Sequence, residues 1–98
     1  MSALRERTVV TPRSVPSLPR HVRIRFDPVR NAFAVLSPER VFWPNEISLD
    51  ILRRCDGSAT VEGIVASLAA EYETTEEEIS SDVTAFLQEW SDRLLVKL

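Results

Sequence analysis

The sequence predicts an α+β module of winged-helix-like type, a three-stranded antiparallel sheet followed by three helices. Three observations lead there. Residues 20–27 alternate apolar and polar side chains with a period of two. Two apolar stripes at helical spacing meet at a short joint, ILRRCDGSATVEGI, from Ile51 to Ile64. After Thr75 a single long apolar stripe runs through Trp90 to Leu94. At 98 residues and 44% hydrophobic content, the chain builds one domain with a single modest core.

Residues 1–19 carry Pro12, Pro16 and Pro19 among Arg, Thr and Ser without a sustained period, which predicts a flexible N-terminal tail or tether ahead of a domain spanning 20–98. In the first strand, Val22, Ile24 and Phe26 share one face and His21, Arg23 and Arg25 the other, the mark of a half-buried strand. Asp27-Pro28-Val29-Arg30-Asn31 is a tight connection to a second strand, Ala32 to Leu36. Ser37-Pro38-Glu39 then turns the chain into a short third strand, Arg40 to Trp43, with Val41 and Trp43 on one face and Phe42 on the other. A strand apolar on both faces is either covered within its domain or lies at a sheet edge where something docks.

Pro44 stops pairing, and Asn45 caps a first helix whose Ile47, Ile51, Leu52 and Cys55 line one side. Asp56-Gly57 supplies a residue able to take positive φ and so to end that helix. Thr60 caps a second helix, Val61 to Tyr72, with Glu62 at its positive end. Thr75-Glu76-Glu77-Glu78 fits a capping box for the third helix. Its stripe is Ile79, Val83, Phe86, Leu87, Trp90 and Leu94, and Glu89 with Arg93 forms an i,i+4 pair worth about 0.3 kcal/mol.

Composition narrows the functions. The net charge of −3 is split unevenly, with ten arginines and six acids (net +4) in residues 1–58 and two bases and nine acids (net −7) in residues 59–98. A helix-turn-helix invites a DNA-binding reading, but the second helix opens on Val61, Glu62 and Gly63 and the third on Glu76, Glu77 and Glu78, which repel a phosphate backbone. Nucleic-acid binding, or another protein-interaction role, stays as the alternative function, carried by Arg20, Arg23, Arg25 and Arg30 of the hairpin.

Enzyme motifs are lacking: there is no glycine-rich phosphate loop, nucleophile elbow or HExxH, so a non-catalytic protein is expected. Cys55 reads as a buried structural thiol and His21 as an ordinary exposed residue. The acidic run Glu71 to Glu78 lacks metal-ligand spacing, and no cofactor is expected. No apolar run reaches the roughly 18 residues of a membrane span, which predicts a soluble cytoplasmic protein.

Certain residues carry a resemblance. Phe26-Asp27, Ser37-Pro38-Glu39, Ile51-Leu52 with Cys55-Asp56-Gly57, Thr60-Val61 with Ile64, and Asp82-Val83 with Phe86-Leu87 follow in the order and at the intervals of the PqqD family. From Leu18 to Leu95 the chain resembles these small peptide-binding proteins of pyrroloquinoline quinone biosynthesis. It departs from them in Ser91-Asp92-Arg93, where the family usually has a glycine, and in Trp43-Pro44-Asn45, where a Leu-Asn is common.

The resemblance implies a peptide chaperone, a recognition element for ribosomally made, modified peptides. It would bind a PqqA-like precursor peptide, whose Glu and Tyr become the cofactor, and present it to a PqqE-like radical S-adenosylmethionine enzyme. The family's mode is strand addition beside the third strand, in the groove made with the last helix. On that reading the peptide-binding residues are Arg40, Val41, Phe42, Trp43, Val83, Phe86, Leu87 and Trp90, with Arg40 steering an acidic peptide. An exposed third strand also admits a strand-mediated dimer in place of a monomer.

Overall fold

Residues 8–98 are described by a computed structural model. Three strands, β1 (Arg23–Asp27), β2 (Ala32–Leu36) and β3 (Val41–Phe42), form an antiparallel meander with β2 in the centre. Three helices follow: α1 (Glu46–Arg53), α2 (Val61–Glu71) and α3 (Glu76–Asp92). The architecture is the expected one.

The register explains which face is covered. Ile24, Val35 and Phe42 stand opposite one another across the three strands. All three belong to or pack against the core. The β1–β2 turn is closed by Asp27, whose carboxylate accepts from the Val29 N–H at 2.9 Å and pairs with the Arg30 guanidinium at 3.1 Å. Asn31 takes the left-handed conformation (φ 51°) that completes the reversal.

Each helix starts where its cap was expected. Asn45 Oδ1 accepts from the Ser48 N–H, Thr60 Oγ1 from the Gly63 N–H and Thr75 Oγ1 from the Glu78 N–H. The capping box of α3 is only half closed, because the Glu78 carboxylate takes the Thr74 hydroxyl at 2.5 Å. α3 lies along α2, and Ile79, Val83, Leu87 and Trp90 join Val61, Ile64, Val65, Leu68 and Ala69 in one core. α1 adds Ile51 and Leu52, and Cys55 follows just past its end. The helix is tied to α2 by Arg54, which donates to Ser67 and Glu71, and by Tyr72, whose hydroxyl donates to Asp50.

Three expectations need correction. The predicted tail divides: its first seven positions lie outside the described residues, while 10–18 pack as a strap. Val10 is buried, and its N–H donates to Gln88 of α3. The carbonyls of Pro12 and Ser14 accept from the Glu62 and Val61 N–H groups of the first turn of α2. Ser17 exchanges two main-chain bonds of 2.8 Å with Lys97, and Pro16 and Leu18 bond to Gly57 and Cys55. The absence of a period hid this, since an irregular strap satisfies its backbone against other elements rather than within itself.

Gly57 does have positive φ, at 82°, but it does not stop α1. The helix ends at Arg53, and its last carbonyls are taken by the Arg54 and Cys55 N–H groups and by the Cys55 thiol. Gly57 instead turns the chain so that its N–H reaches the Pro16 carbonyl of the strap.

Leu94 is the third correction. α3 ends at Asp92, and Leu94 adopts φ 62° with its side chain 56% exposed. The reversal lets the Leu95 and Val96 N–H groups bond the Trp90 carbonyl and buries those two side chains in the place the stripe had reserved.

Candidate functional site

The outer edge of β3 and the C-terminal half of α3 lie side by side and make the candidate site. β3 is set by the turn before it. The Ser37 N–H donates to the Arg40 carbonyl at 2.9 Å, while the Ser37 hydroxyl both accepts from the Arg40 N–H and donates to its carbonyl. Pro44 limits the strand to two paired residues, Val41 opposite Leu36 and Phe42 opposite Val35. Among the described residues no strand pairs with the outer edge of β3.

Alternation sends Phe42 towards α3 and leaves Val41 and Trp43 on the outer face of the sheet, 52% and 47% exposed. The Phe42 ring lies 5.2 Å from that of Trp90, tilted by 50°, and Trp90 stacks on Phe86 at 5.0 Å. These three rings make an aromatic floor running from the strand edge along α3. Arginines frame it. Arg40 and Arg93 each stand 5.3 Å from the centre of the Phe42 ring, and Arg30 stands 5.0 Å from Trp43.

The expected site residues fall into two groups. Arg40, Val41, Phe42, Trp43 and Phe86 offer surface at the groove. Val83 and Leu87 have none, at 0% exposure, and Trp90 keeps only 6%. Those three are core: they hold α3 on α2, and Trp90 alone reaches the floor through its ring contacts. Sequence periodicity could not divide the stripe, because a docked strand and a neighbouring helix ask for the same apolar spacing.

The sequence reading did not place Arg93 beside the aromatic floor, nor Arg30 over Trp43 on the outer sheet face. Arg93 does form the expected pair with Glu89, at 3.3 Å, but only the fold shows that the same side chain also reaches Phe42. Cys55 is a structural thiol as expected. It is buried and donates to the Ile51 carbonyl, and burial, with the nearby Asp56 charge, pushes it up to about 12. No described helix is long and apolar enough to cross a membrane.

An open strand edge against an aromatic-lined helix is a geometry able to take an added strand. Residues 33–96 match the family model described as coenzyme PQQ synthesis protein D (PqqD). The chain belongs to the PqqD family. A Rhodopseudomonas palustris relative named PqqA binding protein is 43% identical over 84 residues, covering 86% of this chain and 82% of that protein. The bifunctional coenzyme PQQ synthesis protein C/D of Methylorubrum extorquens is 38% identical over 82 residues, 84% of this chain but 22% of that longer protein.

Two solved PqqD structures share the fold. One is the solution NMR structure of the PqqD truncation of Methylobacterium extorquens PqqCD, described as a functional, stand-alone RiPP recognition element. It superposes with a TM-score of 0.80 at 33% identity, covering 96% of this chain and 100% of that one. The crystal structure of PqqD from Xanthomonas campestris gives a TM-score of 0.58 at 31% identity over 92% of this chain.

Proposed function

We propose that this chain is a peptide chaperone of pyrroloquinoline quinone biosynthesis that binds a PqqA-type precursor as an added strand along β3, against α3. The observation that carries the reading is the free β3 edge standing directly beside the Phe42–Trp90–Phe86 floor. Main-chain hydrogen bonds at the edge hold any extended chain, and side chains of alternating direction give selectivity. One set of peptide side chains meets Phe42 and Phe86; the other meets Val41 and Trp43. Relatives named PqqA binding protein support the choice of ligand.

The peptide held in this way is presented to a radical S-adenosylmethionine enzyme in the cytoplasm, and the chain itself supplies no reacting group. A groove open on the outer sheet face leaves part of the bound peptide accessible to that partner. The test is a titration of the isotope-labelled chain with synthetic PqqA of Rhodopseudomonas palustris. Amide signals of Arg40–Trp43 and of Phe86–Arg93 should move together. Shifts confined to Arg20–Arg30, or a preference for duplex DNA with steep salt dependence, would overturn the reading.

A further inference from the structure

The rim of the groove carries two arginines, Arg93 paired with Glu89 and Arg40 with no ion pair among the described residues. Arg40 and Phe42 are two residues apart and share a sheet face, which brings the Arg40 guanidinium to 5.3 Å from the Phe42 ring. Arg93, from the C-cap of α3, reaches the same ring at the same distance.

The nearby acids engage the two arginines unequally and leave donors free on both. Glu89 bonds one terminal nitrogen of Arg93, Nη1, at 3.3 Å, leaving Nη2 and Nε unbonded by it. Glu39, next to Arg40 in the turn, forms no ion pair among the described residues, and neither does Arg40. A guanidinium lying over a ring keeps its in-plane N–H edge available, and that edge matches a carboxylate.

We propose that Arg40 and Arg93 form an anion clip around Phe42 that takes a carboxylate side chain of the docked peptide. The clip rests on the strand-addition reading and adds a position-specific demand to it. Of the two alternating sets of peptide side chains, the acid belongs to the set facing α3, at the residue beside Phe42. Apolar contact with the Phe42–Trp90–Phe86 floor then flanks a single charged contact, so an acidic peptide is held in one register rather than sliding along a short strand edge.

The test uses the full chain with synthetic Rhodopseudomonas palustris PqqA and a peptide series in which each Asp or Glu is replaced in turn by Asn or Gln. Arg40→Gln and Arg93→Gln should each weaken binding about 3- to 10-fold, the range of a partly exposed charged contact. One peptide replacement should cost a similar factor in the parent chain and little in the Arg40→Gln chain, because the contact is already gone.

The peptide series cannot fail through misfolding of the protein. Equal binding of parent, Arg40→Gln and Arg93→Gln, or losses that multiply independently for peptide and protein changes, would overturn the clip. If the parent chain binds at β3 and α3 but the arginine variants match it, only the clip falls. If the parent does not bind the peptide there, the strand-addition reading falls with it.

Discussion

At the scale of single residues, Gly57 and Cys55 show how much of the fold hangs on the joint between α1 and α2. Gly57 holds φ 82°, a conformation that a Cβ opposes, although the nearest atom to an added Cβ would be Ser17 Cβ at an ordinary 3.6 Å. The cost of Gly57→Ala therefore comes from the backbone and should be about 1–2 kcal/mol in denaturant unfolding. Cys55 and Tyr72 make the fold sensitive to alkali. Their ordinary values of 9.0 and 10.0 are pushed up to about 12, Cys55 by burial and Tyr72 by its hydrogen bond to Asp50, so the folded chain keeps protons that the unfolded chain releases. The stability these two groups contribute is fully present below about pH 9 and is lost as pH climbs towards 12, and the denaturation midpoint should drop across that window. A midpoint that stays flat there, or rapid alkylation of Cys55 in the native chain, would contradict its burial.

At the scale of elements, local signals read well and long-range partners did not. The turn chemistry of Asp27–Asn31 located Ala32–Leu36 to the residue, whereas alternation over 20–27 began β1 three residues early, and Asn45, Thr60 and Thr75 were legible because a cap is a contact within three residues. The strap and the end of α3 were not, since their hydrogen-bond partners lie far away in sequence, as with Val10 on Gln88 and Ser17 on Lys97. The strap yields a prediction of its own. Val10→Ala should destabilise the chain by about 1–2 kcal/mol, and removal of the strap should cost several times that through the exposed first turn of α2; a freely hanging segment would cost nothing. The stripe of α3 separates in the same way. Leu87→Ala should lose about 2–5 kcal/mol of stability and weaken peptide binding only as the fold loosens. Val41→Asp, at an exposed edge, should leave thermal unfolding nearly unchanged and weaken peptide binding about tenfold or more through a charge in the groove.

At the scale of the whole molecule, the proposed peptide-binding surface is assembled by three parts of the chain that are distant in sequence. The turn at Ser37–Arg40 sets the strand, α3 brings Phe86, Trp90 and Arg93 beneath it, and the α1–α2 joint, clasped between the strap and α2, fixes how those helices sit. The apolar strand and the apolar helix were both visible in the sequence as surfaces needing cover. Which residues cover each other was not, because Val83 and Phe86 obey the same spacing and differ only in what the fold places against them. The uneven charge also takes on a location: arginines gather around the sheet and its free edge, and acids gather at the start of α3, away from the groove. The most direct measurement of strand addition is amide hydrogen exchange in the labelled chain, with and without Rhodopseudomonas palustris PqqA, joined to cross-strand contacts between the peptide backbone and β3. Exchange within Val41–Trp43 should slow in the complex, with backbone contacts from the peptide to Val41 and Phe42. Unchanged exchange at β3, with protection appearing instead on β1 or at the start of α2, would contradict it.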